Sequence, residues 1–281
     1  MRHLTLTLVL LITSFFLASS LQASSMSQSQ LPMSQPNFQG FVPEQRQRGR
    51  EQDERESDPN LIRLMVHPSL YWVTHSLLDA YQKKHPQAVF RIHQGYPSDL
   101  LDLLEDNFNF DILLDGEISE GMAKITSGWA VKTRVFALGR VGLWAPQETV
   151  RSTRVLSLRS DNIGLPYEQS PYYRAAKEIL ERNELLKKYE SRLQPMRLGE
   201  DLFTQVQQGK IPAAFIEWQR LVEAGLDQRR EALKMPRNHH GSITHSATLM
   251  HEGQGRDVVM PFWEFLLSSE ADQLLKQAGF D

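Results

Sequence analysis

One unit recurs along most of this chain: a short apolar strand, a turn rich in Ser, Pro, Tyr or Asp, then an amphipathic helix. Residues 61–66 read as a strand and 67–69 as a turn, and Leu70, Val73, Leu77 and Tyr81 mark one face of the next helix. Further strands are expected at 88–93, 111–114, 162–166, 212–216 and 246–250, with a longer extended stretch over 135–145. Short helices fit Leu100, Leu101 and Leu104 and residues 199–208, and two helices over 258–267 and 269–278 close the chain. Ser170 followed by Pro171 marks a helix start, because proline lacks the N–H that would go unpaired there. Strands alternating with helices predict an α/β fold with mostly parallel sheets flanked by helices. Each strand-to-helix turn leaves the first N–H groups of its helix without intrahelical partners. Several such turns facing one cleft make a polar pocket for an anion or another small ligand.

The ends of the chain differ from this body. Arg2 and His3 precede an apolar run over 4–17, and Leu21-Gln22-Ala23 ends in a small residue, so residues 1–23 read as a cleaved signal peptide. Residues 24–60 are Ser, Gln, Pro, Arg and Glu with few large apolar side chains. Such a segment buries too little apolar surface to offset its ordering entropy, and it reads as a disordered polar tail. The chain has no cysteine, which excludes thiol catalysis, thiolate metal sites and disulfide staples. A formal net charge of −3 implies neither a nucleic-acid partner nor a polybasic membrane surface.

Several segments, in order, resemble the periplasmic molybdate-binding proteins of ABC transporters. They are Pro68-Ser69-Leu70, Phe110-Asp111-Ile112-Leu113, Gly142-Leu143-Trp144-Ala145-Pro146, Ala176-Lys177-Glu178, Glu200-Asp201-Leu202, Ile211-Pro212-Ala213-Ala214 and Gln277-Ala278-Gly279-Phe280. The resemblance implies two α/β lobes joined by two crossing strands. Residues 61–140 would begin lobe I, 141–240 would form lobe II, and 241–281 would return to lobe I. It further implies a soluble, monomeric periplasmic protein that closes on a molybdate-like tetrahedral oxyanion for an ABC-transporter permease, without a cofactor. By the same resemblance the anion would meet Ser69, Ser98, and the backbone N–H groups of Tyr172 and Leu202. The chain departs from that pattern twice. The family's second serine falls on Pro97, leaving Ser98 as the nearby hydroxyl, and the family's tyrosine after a second-lobe strand falls on Glu217. A carboxylate about 4 Å from a doubly charged anion repels it by ~4 kcal/mol per unit charge at an effective dielectric near 20.

Read without the resemblance, His67, Tyr172, Tyr173 and Glu217 offer imidazole, phenolate and carboxylate donors suited to a ferric-type cation. The same tyrosines also serve as ordinary packing aromatics. A third reading is a degenerate binding fold that acts as a protein-interaction or sensor module, with residues 24–60 taking part. His239, His240, His245 and His251 match no common zinc spacing and are expected in a solvated connection or pH-sensitive rim. Asp111 and Asp115 flank the third strand, where a place near the cleft is open to them. No G-x-S-x-G elbow or complete dinucleotide fingerprint is present, so the chain is not read as an enzyme.

Overall fold

Apolar side chains occupy every position but Arg63 in β1 (Leu61–Val66), and the strand is buried because it runs inside a sheet. It pairs in parallel with β2 (Val89–Gln94) on one side and β3 (Ile112–Asp115) on the other. This computed structural model describes residues 58–96, 99, 103, 109–116, 128–157 and 161–281, all within one compact unit. Beyond β3 the first sheet is antiparallel, through β10 (Ile243–Met250) and then β4 (Ala130–Gly139). The second sheet has the order β7 (Leu193–Pro195), β6 (Ile163–Leu165), β8 (Ala213–Glu217), β5 (Val141–Trp144) and β9 (Ala232–Lys234). There β6 is parallel to β7 and β8, whereas β5 is antiparallel to β8 and β9. Each sheet is therefore mixed, with four strands running one way and one against them: β10 in the first sheet and β5 in the second, the strands by which the chain enters each sheet from the other.

Helices cover both sheets. In the first lobe α1 (Tyr71–Lys84) buries Val73, Leu77, Leu78 and Tyr81 at helical spacing. Those residues share a core with Ile62, Leu64 and Ile112 of the sheet and with Phe262, Trp263 and Leu275 from the end of the chain. In the second lobe α2 (Pro171–Arg182) and α3 (Leu186–Tyr189) pack one face of the sheet, through Ala176, Ile179, Leu180 and Tyr189. The other face is covered by α4 (Leu202–Gln207) and α5 (Trp218–Glu223), through Phe203, Val206, Trp218 and Leu221. The closing pair, α6 (Val259–Leu266) and α7 (Ser269–Gln277), completes the first lobe.

The stretch over 135–145 is not one strand. β4 ends at Gly139 in the first sheet and β5 begins at Val141 in the second, so Arg140 is a crossing point. The carbonyl of Leu138 accepts from the Asp281 N–H and that of Arg140 from the Trp218 N–H, which assigns the backbone on either side to different lobes. The return crossing runs from β9 to β10. β7 and β9, three residues each, are too short for alternation to announce them. β10 starts at Ile243, three residues before the expected start, which places His245 inside a strand rather than on a rim. Residues 1–57 lie outside the described residues, as do Pro97, Ser98, Leu100, Leu101 and Leu104. Among the described residues no helix is long and apolar enough to cross a membrane.

A polar seam between the lobes as the candidate ligand site

His67 follows the last residue of β1 and opens the turn that leads into α1. Its Nδ1 accepts from the Ser69 N–H at 3.2 Å and lies 2.7 Å from the Ser69 hydroxyl. A nitrogen that accepts from a backbone N–H carries no proton, so the ring's proton is on Nε2, which donates across the seam to the Tyr167 hydroxyl at 3.1 Å. Burial lowers the His67 pKa to about 4, and the ring is neutral at ordinary pH. Tyr167 belongs to the second lobe, two residues after β6. It stands to that strand much as His67 stands to β1. Tyr96, just after β2, meets His67 and Tyr167 edge-on at 5.5 and 5.4 Å between ring centres.

A second cluster lies where β10 passes the second lobe. Gln219 donates to the Tyr172 hydroxyl at 2.9 Å, and that hydroxyl lies 2.8 Å from Nε2 of His245. Because the phenol oxygen already accepts from Gln219, its own proton goes to Nε2, and the neutral His245 keeps its proton on Nδ1. Burial, with His67 nearby, lowers the His245 pKa to about 3. The strand beside this pair has Gly139, where a Cβ would collide with the Tyr172 hydroxyl and come within 2.8 Å of His245 Nε2.

Glu217 ends β8 and precedes α5, and its carboxylate caps no N–H of that helix. Burial raises its pKa; its own backbone N–H and Arg220 act against that, and Asp201 adds to it. The same carboxylate raises three phenols already raised by burial: Tyr96, Tyr167 and Tyr172. For Tyr96 a hydrogen bond from the Gly199 backbone works the other way, while Asp99 and Asp201 add to the rise. Both walls of the seam thus present neutral O–H and N–H groups, with the carboxylates of Glu217, Asp201, Asp99 and Asp115 acting on their phenols. Trp72 of α1 closes another edge, with the Arg220 guanidinium 5.3 Å above its ring.

A family model described as bacterial extracellular solute-binding protein matches residues 62–281. The chain belongs to that family. Among solved structures, this solute-binding protein is similar in fold to the periplasmic molybdate-binding protein of Azotobacter vinelandii. The TM-score is 0.67 at 16% identity, over 78% of this chain and 98% of that one. L-phospholactate-bound PEB3, a protein of Campylobacter jejuni, gives 0.62 at 10% identity over 78% and 98%. Iron-bound HitA of Pseudomonas aeruginosa gives 0.54 at 14% identity over 76% and 83%. These likenesses establish the two-lobed periplasmic-binding-protein fold. Comparison with curated protein sequences gives no match.

In this solute-binding protein the expected site residues are distributed unevenly. Ser69 and Glu217 belong to the seam, from opposite lobes, while Ser98 lies outside the described residues. The Tyr172 N–H donates to Ser170 at 3.2 Å, so the helix cap already occupies it. Leu202 opens α4 with its side chain buried in the second lobe. Of the cation set, Tyr172 is committed to His245 and Gln219, and Tyr173 packs against the second lobe's core with Lys177 5.5 Å from its ring. Among the described residues no three His, Asp or Glu side chains are grouped to hold a metal ion. Asp111 is fully buried away from the seam, bound by Arg63 and Arg256 at 2.8 Å each. Sequence reading missed Tyr96, Tyr167, Gln219 and His245. Tyr96 and Tyr167 carried a usable signal, since each falls within two residues of a strand's C-terminal end, where parallel strands open onto a ligand crevice.

Proposed function

We propose that this protein captures a small tetrahedral oxyanion in the crevice between its lobes, in the periplasm, and presents it to the permease of an ABC transporter. The carrying observation is the seam itself: Ser69, His67 and Tyr96 from one lobe face Tyr167 from the other, and all are neutral hydrogen-bond donors. An oxyanion can replace the direct His67–Tyr167 bond by accepting from both walls, so its binding energy favours the closed form over the open one. The similar folds named for molybdate and for L-phospholactate support an oxyanion-bearing ligand. Thermal unfolding with molybdate, tungstate, sulfate or phosphate tests this. At a hundredfold excess over Kd, binding adds about 2.7 kcal/mol, a rise of roughly 5–10 °C for a domain of this size. No rise with any of the four rejects the reading.

The Glu217 and Asp201 carboxylates favour a second reading, a metal cation as cargo, and the iron-bound fold neighbour supports it. Tyr172 would have to give up its proton and its bonds to His245 and Gln219. Loading with ferric iron should then produce a tyrosinate-to-iron absorption band that Tyr172→Phe removes. A colourless protein after loading counts against this cargo.

A further inference from the structure

We infer that Glu217 makes the crevice selective for an oxyanion that keeps a hydroxyl at neutral pH, of the hydrogen-phosphate kind, over fully ionised anions of the same shape. The inference rests on the oxyanion reading above and names the ligand class for that site. Its basis is the balance of donors and acceptors on the second-lobe wall. Glu217 is half-buried at the end of β8, which runs parallel to and beside β6, so it leaves the same end of the sheet as Tyr167; it caps no helix N–H, and its charge acts on the Tyr96, Tyr167 and Tyr172 phenols. The other charged groups acting on it are Asp201, of like sign, and Arg220. Arg220 is already paired with Glu223 at 2.6 Å and stacked between Trp72 and Phe203.

Two residues further on, Gln219 is 7% exposed, and its Oε1 has no hydrogen-bond partner among the described residues while its Nε2 is held by Tyr172. This wall therefore offers more acceptor capacity than donors: Gln219 Oε1 has no partner among the described residues, and the Glu217 carboxylate receives its own backbone N–H and no N–H of the helix it precedes. A buried acceptor without a donor is unfavourable, and a ligand that brings a hydrogen removes that penalty. Sulfate and molybdate bring none near neutral pH and set a charged oxygen against the carboxylate. Hydrogen phosphate can donate its O–H to Glu217 and still accept from Ser69, Tyr96 and Tyr167 with its other oxygens. One proton thereby separates anions that size and shape do not.

Titration calorimetry of the full chain at pH 8 with inorganic phosphate, sulfate and molybdate tests this. The wild type should bind phosphate roughly 10- to 100-fold more tightly than either of the others, the size of one hydrogen bond to a charged group. Glu217→Gln supplies an amide N–H in place of the carboxylate, so its phosphate preference should vanish and its sulfate affinity rise by at least about tenfold. Equal wild-type affinities, or a preference that survives Glu217→Gln, overturns the selectivity while leaving oxyanion capture standing. If neither protein binds any of the three anions, the capture reading falls and this inference with it. The wild-type comparison decides without any variant, so a poorly folded Glu217→Gln does not shelter the claim.

Discussion

His67 and His245 are buried, neutral and on the seam, so their protonation works against the fold. An unfolded histidine takes up a proton near pH 6.5, while folded His67 refuses it down to about 4 and His245 to about 3. The unfolded chain binds more protons in that window, so stability falls as pH drops through it, by up to about 1.4 kcal/mol per pH unit for each histidine. Glu217 has the opposite sign. Its folded pKa is raised, so its contribution declines as pH rises through the interval above the ordinary carboxylate value. Urea unfolding at pH 7, 6 and 5 should show the histidine slope, with His67→Gln reducing it; a flat profile counts against these assignments. Gly139→Ala tests the packing around the same pair. The methyl would press on the Tyr172 hydroxyl and His245, and a loss of about 1–3 kcal/mol is expected from overpacking. An unchanged denaturation midpoint would mean that the strand yields freely there.

Elements whose apolar residues repeat at a clear period were legible beforehand. β1, α1 and the closing helices fall within a residue or two of their expected bounds, and α2 starts at Pro171 as expected but ends at Arg182, with Leu186 opening a separate helix, because each buries one face or a continuous run against a core. Elements held chiefly by neighbours were not legible. β7 and β9 exist because β6 and β5 offer them free backbone groups, and three residues cannot show alternation. The break at Arg140 was hidden for a related reason: the residues on both sides are strand formers, and only their pairing with different sheets separates them. Asp111 shows how a charge can serve an element rather than a site. It is fully buried and bonds the Arg63 N–H at 2.7 Å, the Arg63 guanidinium and Arg256, while Arg256 also donates to the Leu61 carbonyl. Removing one member leaves uncompensated buried charge, so Asp111→Asn should lower unfolding free energy by roughly 3 kcal/mol in denaturant titration. A loss under about 0.5 kcal/mol would class this pair with exposed surface bridges.

At the scale of the whole molecule, Asp281 ties the two crossings together. Its carboxylate receives Arg140 at 2.5 Å, Arg237 at 2.8 Å and Lys234 at 3.1 Å. Arg140 lies on one crossing, and the other two lie at and after the end of β9. Burial alone would raise the Asp281 pKa, but bonds from Arg237, Arg140 and Lys234 hold it far below the usual carboxylate range. Its contribution is therefore present at neutral pH and lost only in strong acid. Asp281→Asn leaves three cations facing one another where the two crossings meet. The ligand-free protein should then unfold at a lower temperature and scatter with a larger radius of gyration, as the lobes move apart. An unchanged melting temperature and radius would show that the crossings hold their geometry without this carboxylate.

The α/β class, the order of the main elements and the family resemblance followed from the sequence alone, because local periodicity and turn chemistry act over a few residues. So did the presence of Ser69 and Glu217 as exceptional polar groups at strand ends. Only the tertiary structure decided which polar groups meet. His67 finds Tyr167 a hundred residues away, and Tyr172 finds His245 and Gln219 from another strand and another helix. Such partners are fixed by how two sheets are set against each other, a relation carried by no single stretch of chain.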